Sequence, residues 1–245
     1  MSEDFSKNDP FGKAILEFDK NRTAKIIRIS SDLCDDDELP VQYLFRTHDE
    51  MPAVEKKALT LCKGRILDAG AGAGAHVKIL KEEGFDVFAL DVSPGAIKHL
   101  KKHHIPCALS SLQYFETKER YDTILLMMNG IGISEKLEAL SSFLVKCKSL
   151  LRENGQILLD STDIKYLYED EDDSVWIDLN SSYYGEFQFQ MHFNGESGPF
   201  FNWLYVDFDT LKTHAKMADL HCEKIFEDTD QISRNKYPLN ILINN

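Results

Sequence analysis

Between residues 64 and 160, short apolar runs alternate with longer segments in which apolar residues recur at helical spacing. The apolar runs predict β-strands over residues 65–68, 85–90, 106–109, 123–128 and 156–160. Each intervening segment carries one apolar stripe, as Ala73, Val77 and Leu80 do, and predicts a helix that buries one face. Strands that alternate with helices are typical of βαβ units, so this part of the chain predicts a parallel sheet covered by helices.

A different pattern follows this region. Residues 183–206 alternate aromatic and polar side chains, which predicts an antiparallel hairpin that turns at Asn194-Gly195. Residues 207–217 predict a capped helix, and residues 221–226 and 237–243 predict a closing pair of strands. The chain is therefore expected to end in antiparallel structure.

The N-terminal segment shows two short amphipathic patterns. They predict one helix marked by Phe11, Ala14, Ile15 and Phe18 and another marked by Met51, Val54, Ala58 and Leu61. The apolar run Tyr43-Leu44-Phe45 lies between them and is costly to expose to water. We therefore predict that residues 1–62 form an N-terminal cap that docks on a main domain of residues 63–245.

Composition and charge narrow the range of partners. The 245 residues include 28 basic and 41 acidic side chains, a net charge of −13 that disfavours nucleic acid and anionic membranes as partners. No apolar run reaches the roughly 18 residues that a membrane helix needs. The five cysteines are scattered and form no Cys-x-x-Cys pair, which is typical of reduced thiols in a cytoplasmic protein and predicts no metal site.

The clearest chemical signal follows the first predicted strand of the sheet. The segment Asp68-Ala-Gly70-Ala-Gly72-Ala-Gly74 joins this strand to a helix, where glycines let the backbone approach a ligand closely. Asp91 ends the next strand, 21 residues after Gly70, and a carboxylate there can accept hydrogen bonds from ribose hydroxyls. The set predicts an adenosine-containing cofactor. The glycine spacing also satisfies the dinucleotide fingerprint, so spacing alone leaves NAD open, although a carboxylate at Asp68 disfavours a pyrophosphate.

Four segments resemble motifs of the class I S-adenosylmethionine-dependent methyltransferases. The Asp68-x-Gly-x-Gly-x-Gly segment is similar to the first motif of that family, and Leu90–Pro94 is similar to its ribose-binding strand end. Residues 121–130 resemble the fourth-strand motif, and residues 150–159 resemble the turn into the fifth strand. The resemblance covers about residues 60–160.

The resemblance implies an α/β fold, namely a Rossmann-like doubly wound sheet with an antiparallel last strand, to which the N-terminal helical cap and the inserted antiparallel hairpin are added. It implies S-adenosylmethionine as cofactor, bound by Asp68, Gly70, Gly72, Gly74, Asp91, Val92, Ser111 and Asn129. Asp68 and the glycines would surround the methionine moiety, and Asp91 would bind the ribose. Asn129 would lie where sulfonium and substrate meet. Ser111 stands where the family often has an acid that contacts adenine.

Aromatic segments outside the motif region supply the candidate acceptor site. The candidate substrate residues are Tyr43, Arg46, Trp203 and Tyr205, with residues 163–206 as a substrate-capping insert. The alternative is that these side chains pack as a satellite core. Arg46 would either hold an acceptor carboxylate or pair with a surface acid. No residue is assigned as a general base.

Three histidines allow two interpretations each. His76 follows the glycine loop and either flanks the cofactor or lies on the helix surface. His99 and His103 are spaced as a metal-binding pair, but no third ligand is near in sequence and their helix is rich in lysine. We therefore predict that this pair lies on a solvated helix face.

The predicted function is S-adenosylmethionine-dependent methyl transfer to an acceptor that the sequence does not identify. The acidic composition favours a small molecule over a nucleic acid, with a protein side chain as a further alternative, and the oligomeric state is left open. One alternative is an NAD-dependent oxidoreductase, for which the chain lacks a recognisable Tyr-x-x-x-Lys pair. The other is a protein that binds S-adenosylmethionine without catalysis.

Overall fold

A computed structural model describes residues 8–168, 182–229 and 236–243. The strands are β1 (Ile26–Ser31), β2 (Asp37–Pro40), β3 (Arg65–Ala69), β4 (Asp86–Asp91), β5 (Cys107–Leu109), β6 (Tyr121–Leu126), β7 (Leu151–Asp160), β8 (Glu186–Phe193), β9 (Glu196–Leu204), β10 (His221–Thr229) and β11 (Lys236–Ile243). The helices are α1 (Pro10–Asn21), α2 (Ala53–Leu61), α3 (Ala75–Glu82), α4 (Pro94–Lys102), α5 (Leu137–Leu150) and α6 (Phe208–Met217). None of these helices is long and apolar enough to cross a membrane.

The larger sheet has seven strands in the order β10-β11-β7-β6-β3-β4-β5. Strands β3 to β7 are parallel, whereas β11 runs antiparallel to both of its neighbours. This arrangement confirms the predicted doubly wound sheet with an antiparallel last strand. The strand order reverses beside β3, which creates a crevice at the carboxyl ends of β3 and β6.

Neighbouring residues along each central strand supply opposite layers of the core. In β3, Leu67 packs with α5 and α6, while the adjacent Ile66 packs with α2, α3 and α4. In β7, Ile157 and Leu158 divide in the same way. Side chains alternate across a strand, so a continuous apolar run forms two cores, one on each face of the sheet.

A second, four-stranded antiparallel sheet has the order β2-β1-β8-β9. It contains the predicted hairpin, which turns at Asn194-Gly195 between β8 and β9. The N-terminal segment contributes β1 and β2, which the apolar pattern did not predict, so this segment is not purely helical. Residues 169–181 of the predicted insert lie outside the described residues.

Helix α1 is fixed to α4 by one buried carboxylate. Asp9 accepts hydrogen bonds from the backbone N–H of Gly12 (2.7 Å) and of Gly95 (2.8 Å), and from the Ser93 hydroxyl (2.7 Å). It therefore satisfies free N–H groups at the start of both helices. A Cβ at Gly95 would lie 2.4 Å from the Cα of Gly12, so only glycines permit this close approach.

Candidate active site

A cavity of about 1340 Å³ lies between the carboxyl ends of β3, β6 and β7 and one face of the four-stranded sheet. The sequence-predicted residues that line it are Asp68, Gly70, Gly72, Asn129, Tyr43, Arg46, Trp203 and Tyr205. The predicted residues Gly74, Asp91, Val92 and Ser111 are not among its lining residues. The structure thus brings eight of the twelve candidates to one cavity.

The glycine loop takes a backbone conformation that other residues rarely adopt. Gly70, Gly72 and Gly74 have φ angles of +84°, +54° and +77°. A Cβ at Gly74 would lie 2.7 Å from the Leu100 side chain, so this glycine serves the packing of α3 against α4. Gly70 and Gly72 instead expose their backbone to the cavity, with Phe11 of α1 near Gly72.

The Asp91 carboxylate stabilises this loop by hydrogen bonds to its backbone. One carboxylate oxygen accepts the N–H of Gly72 (2.8 Å) and the other accepts the N–H of Ser93 (2.8 Å). Burial raises the pKa of Asp91 to about 6. The same carboxylate therefore links the loop after β3 to the start of α4.

Two more buried acids lie on the cavity floor. Burial raises the pKa of Asp68 to about 6, and Oδ2 of this residue has no hydrogen-bond partner among the described residues. Asp160, at the end of β7, accepts the Asn129 N–H at 2.9 Å, and burial raises its pKa to about 6 as well. Asp160 was not predicted, although it follows an apolar run just as Asp68 and Asp91 do.

A buried ionic network forms a side wall of the cavity. Glu55 of α2 accepts hydrogen bonds from Nε and Nη2 of Arg46, the former at 3.1 Å, and contacts Nε2 of His76 at 2.8 Å. Nη1 of Arg46 donates to the Tyr43 carbonyl at 2.8 Å, and its guanidinium lies 4.3 Å from the centre of the Tyr43 ring. Arg46 thus pairs with a buried acid rather than a surface acid. His76 is buried and lines the cavity, so it does not lie on the helix surface.

Aromatic side chains of the hairpin form the opposite wall. Phe187 pairs across the strands with Trp203, and Phe189 pairs with Phe201. All four line the cavity, together with Tyr205. Cross-strand partners point to the same face of a sheet, so the alternating aromatic pattern places these rings on one surface.

The remaining predicted residues, Val92 and Ser111, follow strands β4 and β5. Val92 follows Asp91 and is 37% exposed. Ser111 follows β5, and its hydroxyl oxygen is buried without a hydrogen-bond partner among the described residues.

The histidine pair of α4 differs from the prediction. His99 is fully buried and its ring contacts Phe45, so a solvated face is wrong for this residue. Asp19 of α1 approaches both His99 and His103, at 3.5 Å and 3.0 Å. It also binds Lys102 at 2.6 Å, which places a competing cation on the same carboxylate. The sequence did not reveal Asp19 because it lies eighty residues away, on another helix.

Comparisons with known proteins agree with this geometry. A sequence profile for methyltransferase domains matches residues 66–155. A search of curated proteins gave no match. The chain is similar to a crystallised S-adenosylmethionine-dependent methyltransferase from Bacteroides fragilis in complex with S-adenosyl-L-homocysteine, with 38% identity and a TM-score of 0.88. That alignment covers 97% of this chain and 95% of the other.

More distant structures share the fold. They include 1,6-didemethyltoxoflavin-N1-methyltransferase from Burkholderia thailandensis, with 14% identity, a TM-score of 0.53 and 78% of each chain covered. They also include the N-methyltransferase NodS from Bradyrhizobium japonicum, with 15% identity, a TM-score of 0.53, and 80% of this chain and 89% of the other covered. The doubly wound sheet, its glycine loop and the 38% identical relative together show that the chain belongs to the class I S-adenosylmethionine-dependent methyltransferases.

Proposed function

We propose that this enzyme transfers a methyl group from S-adenosylmethionine to a small-molecule acceptor bound between the glycine loop and the four-stranded sheet. The observation that carries the proposal is one continuous cavity, which has the cofactor loop as its floor and an aromatic sheet as its far wall. Its volume of about 1340 Å³ exceeds the 300–1,000 Å³ of an ordinary ligand pocket, which leaves room for two ligands.

The residues around the loop fit the cofactor. The unpartnered Asp68 oxygen suits a hydrogen-bond donor such as the amino group of the methionine moiety, and Gly70 and Gly72 leave the loop without side chains there. We assign Asp91 and Val92 to the ribose and Ser111 to the adenine. Each oxygen of Asp91 already accepts one N–H, but a carboxylate oxygen has a second acceptor site.

The cofactor supplies an activated methyl group on its sulfonium centre, so the protein needs no nucleophile of its own. The chain's residues have to align the acceptor with that methyl group and exclude water. We assign Tyr43, Arg46, Trp203 and Tyr205 to the acceptor side. Trp203 is well suited to alignment, because its indole lies directly against the backbone of Gly132 in the loop that follows β6.

A small acceptor is supported by the way the chain closes over its own site. Strand β1 pairs with β8 of the hairpin and β2 pairs with β1, so the N-terminal segment and the insert cover the cavity as one sheet. We keep the division into residues 1–62 and 63–245, with residues 163–206 as the capping insert, as part of this proposal. The net charge of −13 adds repulsion against nucleic acid.

A fractionated cell extract tests the proposal. We expect S-adenosylhomocysteine to form when enzyme and S-adenosylmethionine are mixed with the fraction below about 1 kDa. Phe201→Ala, in the cavity, should lower this turnover, whereas Phe200→Ala, at a half-exposed position next to it on β9, should not. Turnover confined to the protein or nucleic-acid fraction would overturn the small-molecule assignment.

A further inference from the structure

The described residues that line the cavity include more acidic than basic side chains. Asp68, Asp160 and Glu55 are buried acids within it, and Asp35–Asp37 add acids to its lining. Among the described residues that line it there is no lysine, and Arg46 is the only arginine.

The basic groups of the lining are already paired. Arg46 and His76 both bind Glu55, and every nitrogen of the Arg46 guanidinium has a partner, either Glu55 or the Tyr43 carbonyl. An anionic acceptor would therefore have to break this buried pair, which is costly because it leaves Glu55 uncompensated. The cavity is poorly suited to a carboxylate or phosphate ligand.

The buried side-chain atoms of the described lining residues that lack a hydrogen-bond partner are both acceptors. Oδ1 of Asn129 is buried and has no partner among the described residues, while its Nδ2 donates to the Leu204 carbonyl at 3.1 Å. This bond fixes the orientation of the amide, so the free atom is the acceptor oxygen. The free oxygen of Asp68 is also an acceptor. A buried acceptor without a donor is unfavourable, so both positions favour a ligand that brings N–H groups.

The amino group of the cofactor would supply a donor for the Asp68 oxygen. It leaves Oδ1 of Asn129 without one. Asn129 lies beside Asp160, because its own N–H donates to that carboxylate at 2.9 Å. Both residues line the cavity, so an amide side chain and a carboxylate lie close to one another there. Phe187, Phe189 and Trp203 also line the cavity, and their ring surfaces favour an apolar or planar group and attract cations.

We infer that the acceptor is an amine on an apolar or aromatic scaffold, with its nitrogen bound at Asn129 and Asp160. This inference rests on the proposed function and deepens it. The Asp160 carboxylate accepts one proton from the bound ammonium and passes it to water, which frees the lone pair of the nitrogen. This lone pair forms the new N–C bond, the S–C bond breaks, and the electron pair of the broken bond stays on sulfur. The methylammonium product then loses its proton to water by way of the Asp160 carboxylate, so the neutral nitrogen needs at least one hydrogen.

Binding of matched probes tests the inference apart from turnover. Titration of S-adenosylhomocysteine comes first, since its failure would refute the proposed function rather than the acceptor class. On the protein saturated with S-adenosylhomocysteine, we expect tryptamine to bind at least 10-fold more tightly than indole-3-propionate. Asp160→Asn should reduce this preference below 3-fold and leave the affinity for S-adenosylhomocysteine within 3-fold.

Asp209→Asn is the matched control, because it removes one exposed acid outside the cavity lining and should leave the preference unchanged. No preference for the amine, or the same preference in Asp160→Asn, would overturn the inference. A second readout identifies the acceptor atom directly: with ¹³C-methyl S-adenosylmethionine and the small-molecule extract, the product methyl should have an N-methyl carbon shift. An O-, S- or C-methyl product would refute the amine assignment.

Discussion

The ionic network beside the cavity makes a quantitative prediction for Glu55→Gln. Glu55 and Arg46 are each only 3% exposed at their side chains, and Glu55 is also bound by His76. The substitution keeps the shape of the side chain but leaves the Arg46 guanidinium buried without a counter-charge. Breaking a buried ion pair by removing one partner costs about 3–5 kcal/mol of unfolding free energy. For a chain of this size that corresponds to a drop in Tm of about 6–20 °C.

The pH dependence of this loss has a definite sign. Burial by itself would raise the pKa of Glu55, but the hydrogen bond from His76 and the charges of His76 and Arg46 hold it below its usual 4.5. A lowered pKa in the folded state contributes stability above the unfolded pKa, and this stability is lost as pH falls through the folded value. The difference between wild type and Glu55→Gln should therefore be full at pH 7 and shrink below about pH 4.5.

Urea unfolding at several pH values measures both effects. Glu196→Gln serves as the control, because Glu196 pairs with Lys13 at a half-exposed site and its loss should cost less than about 1 kcal/mol. If Glu55→Gln costs no more than Glu196→Gln at pH 7, the network does not stabilise the fold. A difference that grows as the pH is lowered would contradict the stated sign.

Three further predictions concern the cofactor loop and the N-terminal helix. Asp91→Ala should weaken the binding of S-adenosylhomocysteine by about 2–4 kcal/mol in calorimetry, since hydrogen bonds to a charged acceptor are lost; unchanged affinity would remove Asp91 from the site. Because burial raises the pKa of Asp68 and Asp91 to about 6, protonation should weaken the same binding as pH falls from 8 to 5, and a flat profile would contradict this. Asp9→Ala should lower the unfolding free energy by at least about 1 kcal/mol in urea titrations, because free N–H groups of α1 and α4 lose their acceptor, and no change would show that Asp9 does not anchor α1.

The sequence predicts best where the structure depends on local pattern. The strands from β3 to β7 could be predicted because each contains a short apolar run next to an amphipathic helix. The hairpin could be predicted because aromatic residues alternate with polar ones around Asn194-Gly195. The glycine loop could be predicted because its positive φ angles favour glycine, which leaves a recognisable series of glycines in the sequence.

Features that depend on contacts between distant segments could not be predicted. Strand β1 forms because β8, from a distant part of the chain, provides an edge to pair with, and β2 then pairs with β1. Glu55 lies on a helix whose apolar stripe gives no sign that its carboxylate is buried. Its role follows from Arg46 and His76, which only the fold brings to it. For the same reason, His99 gave no sequence signal that it is buried against α1.

Calorimetric titration of S-adenosylhomocysteine into wild type and Gly72→Val tests the central claim most directly. Gly72 has a φ of +54° and faces the cavity, so a branched side chain both strains the loop and fills the place of the ligand. We predict one binding site per chain in wild type, at least a 100-fold loss of affinity in the folded Gly72→Val variant, and no heat on titration with NAD. Binding of S-adenosylhomocysteine to Gly72→Val with wild-type affinity, or none to wild type, would contradict the assignment of this cavity as the methyl-transfer site.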